Sequence, residues 1–368
     1  IPSLATLSVQ ERVDTMRALS SKWGNYSEDT ELVNALKAIP FVPQWKQEAN
    51  GYWECNWEAD ARLASNLFNW QNVGLMSSLQ GPNLPSYTVP PLMRSAEWTG
   101  LLSDLGLQED LDKEGFMRVI SDIEKAGVEV EGSSEVSAVE QAAVARRGRR
   151  LLRYIKGGDR ISSLVDQDLA KRASRIAFVP VNYPVSVESG GYVEYESRVV
   201  SFEKTMSHSN GSLAFTVLPV VEDDIVPDQI YASALGILYS PPIEIILRHL
   251  RNLTIHGDTL DRWNNNKYSI QDTFSAIYVY LKDHWRELQP SIKSGLEKMN
   301  IIPVHQLLVK PSRVFFRLGS SEDLSPFMFE LPRVFGSHEV VLKEIGVKET
   351  PNSNDYCHFL TDLQVECK

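Results

Sequence analysis

Cysteine is nearly missing from this chain of 368 residues: Cys55, Cys357 and Cys367 are the only three, and no two form a C-x-x-C pair. That excludes a disulfide framework and predicts three reduced thiols. No apolar run approaches the roughly twenty residues that a membrane span needs, and the opening Ile1-Pro2-Ser3 lacks a basic stretch followed by an apolar one. The expectation is an intracellular protein of the cytoplasm or nucleus. Phosphate-binding loops are also missing, since neither G-x-x-x-x-G-K-[ST] nor G-x-G-x-x-G occurs. Among the seven histidines no pair has the i, i+4 spacing that sets two imidazoles on one helix face for zinc. His249 and His256 are seven apart, and a core or surface role is the better reading of both. Neither Cys357-His358 nor a G-x-S-x-G elbow supplies a nucleophile with its base. No cofactor and no metal is expected.

An excess of positive charge is likewise missing. The net charge of −11 argues against a protein that neutralises phosphates over its whole surface, so nucleic acid is not the expected partner. The balance is uneven along the chain. Residues 135–176 hold ten basic and five acidic residues, whereas residues 1–134 hold ten and nineteen. This island centres on Arg146, Arg147, Arg149, Arg150 and Arg153, in a segment of helical pattern. Those five arginines are the candidate contacts for an acidic protein partner. The plainer alternative is a helix face that pairs with the protein's own acidic groups.

What the chain does contain is ordinary globular composition, 43% apolar and 23% charged, arranged with self-similarity. Phe41-Val42-Pro43 ends a helical stretch and returns as Phe178-Val179-Pro180 and as Ile301-Ile302-Pro303. Downstream of each lies a helical stretch closed by glycine: Leu105-Gly106-Leu107, Leu235-Gly236-Ile237 and Ile345-Gly346-Val347. A glycine there suits the left-handed residue that ends a helix. An amphipathic stretch follows each one, with Phe116, Val119, Ile120 and Ile123, then Ile243, Ile246, Leu247 and Leu250, then Tyr356, Phe359, Leu360 and Leu363. Upstream, Ser8-Val9-Gln10-Glu11 has the capping-box pattern, Ser269-Ile270-Gln271-Asp272 opens a helix similarly, and Pro290 suits a first helical turn. Strand-like runs between the signatures are Tyr192–Tyr195, Arg198–Phe202, Leu213–Leu218 and Arg313–Phe316.

The expected fold is α+β, in three consecutive related units at 1–132, 133–262 and 263–368. Each reads helix pair, short strand, variable strands, helix, glycine turn, helix. Joins are expected at 127–135, with Gly132-Ser133-Ser134, and at 257–269, with Asn264-Asn265-Asn266. The four tryptophans Trp45, Trp53, Trp57 and Trp70 read as packing residues.

Several of these stretches carry a family resemblance. Helix-led Phe-Val-Pro, Lys310–Phe316, Leu324–Pro332, Ile345-Gly346-Val347 and Asn354-Asp355-Tyr356 together resemble the repeat regions of the sacsin-type proteins. With Leu213–Pro219 and Ala234–Ile237 they look closer still to the plant NO VEIN-like proteins. The resemblance implies a piece of a very large intracellular chaperone or scaffold, with an Hsp90-like ATPase module elsewhere in the parent and, in the plant branch, a role in development. No Asp-x-Gly-x-Gly motif of that ATPase occurs here, so ATP binding is not transferred to this piece. The expectation is a non-enzymatic repeat segment that binds protein partners or clients. The alternative is a carbohydrate-active hydrolase built on carboxylates near Glu222-Asp223-Asp224.

Overall fold

A computed structural model describes residues 4–48, 50–131, 138–157, 160, 162, 166–187, 193–255, 268–319 and 324–366. The architecture is α+β, with many short helices and several small sheets. The chain forms two compact units, Ile1–Pro180 with Ser197–Glu203 and Asp224–Gly236, and Val181–Glu196 with Lys204–Asp223 and Ile237–Lys368.

In the first unit, α1 (Val9–Ser20) starts with the expected capping box, in which Ser8 and Glu11 satisfy each other's backbone N–H groups. Then come α2 (Thr30–Lys37) and the antiparallel hairpin of β1 (Gln44–Gln47) and β2 (Trp53–Asn56). Next are α3 (Val73–Leu79), α4 (Leu84–Tyr87), α5 (Ala96–Asp104), α6 (Lys113–Glu131), α7 (Ala138–Lys156), α8 (Gln167–Ala173) and α9 (Gln229–Ala234). Val13, Met16, Leu36, Phe41 and Val42 pack with Trp98, Leu101 and Leu102 in one core. α1 and α5 thus each bury one apolar face in that core.

The second unit holds most of β3 (Val179–Val187) and half of β4 (Val193–Val200), with β5 (Met206–Ser207) and β6 (Val220–Val221), in the sheet order β4-β3-β6-β5. Its helices are α10 (Ile243–Ile255), α11 (Ile270–His284), α12 (Pro290–Lys298), α13 (Glu339–Glu344) and α14 (Ser353–Glu366). Small strand pairs complete it: β7 (Ile302–Val304) antiparallel to β8 (Leu307–Val309), and β9 (Val314–Phe315) parallel to β10 (Phe329–Glu330). Its core runs from Met206 through Ile246, Leu250, Phe274, Ile277 and Tyr278 to Leu342 and Ile345.

One local arrangement occurs three times. A single 3-10 turn (Ala64–Asn66, Phe202–Lys204, Pro311–Arg313) leads into a buried extended residue, Phe68, Met206 or Phe315. Each of these pairs in parallel with a segment further on, at Thr88, Val220 or Glu330. Each pairs in parallel again with the residue two after a left-handed glycine, at Gln108, Leu238 or Lys348. The glycines are Gly106, Gly236 and Gly346, with φ of 95°, 90° and 104°. The middle arrangement lends residues to both compact units.

One strand expectation is corrected. Leu213–Leu218 is not a strand; it ends a 3-10 helix (His208–Leu213) and turns back, with Val217 and Leu218 N–H both donating to the Ala214 carbonyl. Phe215, the aromatic residue of that run, is instead drawn into the core together with Ala214. The join expected at 127–135 is helical as far as Glu131; its remainder, and residues 257–267 of the other join, lie outside the described residues.

Candidate functional site

In the first and third copies a cavity lies between the 3-10 turn, the segment after the glycine and the helix that follows. In the first copy Gly106 closes α5, with Leu107 N–H donating to Leu102 O at 2.8 Å. The chain then extends, so that Gln108 N–H donates to Leu67 O at 2.9 Å and Asn69 N–H to Gln108 O at 2.8 Å. Asp112 caps α6 through Gly115 N–H at 2.7 Å. Gly115 is required, because a Cβ there would lie 2.7 Å from the Phe68 ring.

Arg118 reaches back over this floor. Its Nη1 donates to Asn66 O at 2.8 Å, and its guanidinium sits 5.4 Å from the Phe68 ring centre and 5.7 Å from that of Tyr87. Nε and Nη2 are buried with no hydrogen-bond partner among the described residues, and the two ring faces offset part of that cost. Ser65, Asn66, Gln108, Glu114, Gly115 and Arg118 line a cavity of about 460 Å³. Beside it Arg62 donates to the Pro85, Ser86 and Pro43 carbonyls. Burial and, secondarily, the Arg118 charge push the Arg62 guanidinium down to about 10.

The third copy rebuilds the cleft with other side chains. Lys348 N–H donates to Val314 O at 3.3 Å and Phe316 N–H to Lys348 O at 2.9 Å. Lys348, Asp355 and His358 take the places of Gln108, Gly115 and Arg118 and line a cavity of about 390 Å³, with Phe315 and Phe327. Lys348 pairs with Asp355, and Arg313 with Asp362 at 2.9 Å. Partial burial raises the Asp355 carboxyl, but the Lys348 ammonium and the Asn352 N–H outweigh it and leave the pKa lowered. In the middle copy Leu238 N–H donates to Thr205 O at 3.0 Å and Ser207 N–H to Leu238 O at 2.9 Å. The residues at the equivalent offsets from Gly236 are Leu238, Ile245 and Arg248. A basic residue thus stands twelve after each turn glycine, at Arg118, Arg248 and His358. Aligning the three glycines would have found it, yet charge counting over whole segments did not.

The five arginines of α7 sit in three different surroundings. Arg146 and Arg150 are exposed, with Arg146 Nε donating to Ala142 O at 3.2 Å and Arg150 Nη1 reaching Gln80 Oε1 at 3.3 Å. Arg149 and Arg153 turn to Asp224, with Arg153 Nε donating at 2.8 Å and Arg149 Nη1 forming an ion pair at 3.8 Å. Arg147 is only 8% exposed and lies along the backbone at Gly81. It is part of its unit's interior and not of an outward face, because Gly81 leaves room for the aliphatic stem.

The acidic run divides similarly. Asp224 faces two guanidinium groups, and Asp223 sits 3.0 Å from His208 Nδ1. Comparison of the chain with protein-family models, with curated proteins and with solved structures finds no match. Among the described residues, no group of three or more His, Cys, Asp or Glu is placed to hold a metal, and no helix is long and apolar enough to cross a membrane. His249 is wholly buried: Nδ1 accepts from Thr216 Oγ1 at 2.6 Å and Nε2 donates to Ser212 O at 3.1 Å. Burial holds its pKa down at about 3, against the Ser212 hydrogen bond, so the ring is neutral. His256 lies outside the described residues. Cys55 is buried in the β1–β2 hairpin, where burial raises its thiol. Of the tryptophans, Trp45 is buried and donates to Thr88 O at 3.0 Å, Trp57 and Trp70 pack on the core, and Trp53 is exposed.

Proposed function

We propose that the chain is a non-enzymatic repeat segment of a large chaperone or scaffold protein of the sacsin and NO VEIN-like kind. It binds protein partners or clients along its repeated frame and supports an Hsp90-like ATPase module located elsewhere in the parent protein, in the cytoplasm or nucleus. One observation carries this reading. The backbone frame is the same in three places, while the residues at the same offsets from its glycine change from Gln108, Gly115 and Arg118 to Leu238, Ile245 and Arg248 to Lys348, Asp355 and His358, the first and third sets lining cavities. Catalysis needs a single converging constellation; a constant frame with varied lining is how repeat proteins present extended binding surfaces. The hydrolase reading is the weaker one, because Asp224 is engaged by Arg149 and Arg153 instead of facing a second carboxylate.

The test is light scattering of a heat-unfolded client protein with and without the purified chain and without nucleotide. Suppression that grows with chain concentration is expected, and it should weaken in R146E/R150E if the exposed part of α7 contributes. Absence of suppression at tenfold excess, or glycoside turnover abolished by Asp223→Asn, would overturn the reading.

A further inference from the structure

The helix after each turn glycine carries its apolar face at the same four offsets, ten, thirteen, fourteen and seventeen residues on. On α6 these are Phe116, Val119, Ile120 and Ile123, and all four are buried. On α10 they are Ile246, His249, Leu250 and Leu253, also buried. On α14 they are Tyr356, Phe359, Leu360 and Leu363. Phe359 packs edge-on against Phe327 at 5.6 Å, but Tyr356, Leu360 and Leu363 are 39%, 59% and 38% exposed.

The first two faces are both buried beside a second helix and a short strand. Over α6 lie α7 and α8 and the Phe-Val-Pro strand, with Phe178 edge-on to Phe116 at 5.8 Å and Ala177 N–H donating to Glu124 at 2.9 Å. The α10 face shares one core with α11 and with the Ile301-Ile302 strand. α7 and α11 both have buried residues at i, i+4, i+7 and i+11: Val144, Gly148, Leu151 and Ile155 on α7, and Ile270, Phe274, Ile277 and Leu281 on α11.

We propose that the exposed face of α14 is a docking surface for an amphipathic helix of a partner polypeptide. That helix carries branched aliphatic and aromatic side chains at i, i+4, i+7 and i+11, the pattern of Ile270, Phe274, Ile277 and Leu281 on α11, which share a core with the α10 face. An exposed apolar stripe on a soluble helix is otherwise a liability, and helix-in-groove recognition uses this spacing. The inference rests on reading the three helices as copies of one another.

The test uses the full chain with Cys367→Ser, labelled with an environment-sensitive dye on Cys357, which is exposed beside the face while Cys55 is buried. The probe is a synthetic peptide of residues 269–286, held helical by a lactam bridge between positions 279 and 283, both exposed in the chain. Saturable binding in the micromolar range is expected. L360E/L363E should weaken it at least about tenfold, with the circular dichroism spectrum and melting temperature unchanged because both side chains are exposed. Three results would each overturn the inference: no saturable binding, binding indifferent to L360E/L363E, or unfolding of that variant, which would put the two leucines in a core. Client suppression distinguishes the readings. If it is absent while the peptide binds, only the proposed function fails; if it is present while the peptide does not bind, only the docking surface fails.

Discussion

His249 stands on α10 where α6 has Val119 and α14 has Phe359, a polar ring on an apolar stripe. Thr216, Ser212 O and the Phe215 ring at 4.8 Å accommodate it, and Asn252 Nδ2 holds the Thr216 carbonyl at 3.1 Å. Its pKa is about 3 when folded and 6.5 for a free side chain. The unfolded chain therefore binds the proton first as pH falls, and stability is lost progressively between 6.5 and about 3. Urea titrations should show His249 removing about 2 kcal/mol between pH 7.5 and pH 5. His249→Leu should flatten that part of the pH dependence. A second residue-scale prediction concerns Gly148, where a Cβ would come 2.2 Å from Phe178 O. The obstacle is backbone, so Gly148→Ala should cost about 3 kcal/mol, read as a lower urea midpoint. Features set by neighbours within four residues were legible in the sequence, such as the Ser8–Glu11 box and Pro290 in the first turn of α12. The inward turn of Arg147 and the partners of His249 were not, because they depend on groups more than thirty residues away.

At the scale of elements, the three glycine turns are the best-read features. Each combines a helix end, a left-handed residue and an extended residue whose pairing lies far upstream, and the first two are local enough for sequence to specify. Gly106→Ala, Gly236→Ala and Gly346→Ala should each lower stability by about 1 kcal/mol or more, since a side chain pays a steric penalty at positive φ. Thermal melts of the three variants check this. The buried helix faces are more sensitive. Leu250→Glu should destabilise by at least about 3 kcal/mol, as an unpaired charge in the core, whereas Leu360→Glu should be tolerated. The ion pair of Arg153 with Asp224 is largely exposed, so Arg153→Ala should change stability by no more than about 1 kcal/mol. Misreading Leu213–Leu218 as a strand has a related cause. Its composition favours a strand, but Ala214 and Phe215 gain more from burial in the core than an edge strand would offer.

For the whole molecule, sequence similarity and compactness divide the chain differently. Similarity suggests three stretches, 1–132, 133–262 and 263–368, whereas the chain packs as two units, and residues of the middle stretch alternate between them. Pattern matching cannot anticipate that division, because it follows from which faces are buried together and not from where a motif begins. The three copies divide in the same way: the hydrogen-bonded frame is constant, and the residues at fixed offsets from its glycine and the exposed α14 face differ between copies. Native-state hydrogen exchange tests this account most directly. The Gln108, Leu238 and Lys348 amides, each donating to the carbonyl of a buried residue upstream, should all fall in the slowly exchanging class, since release requires opening the frame. If any one of the three exchanged as fast as an exposed turn such as Gly51, the frame would not be built three times and the account would fail.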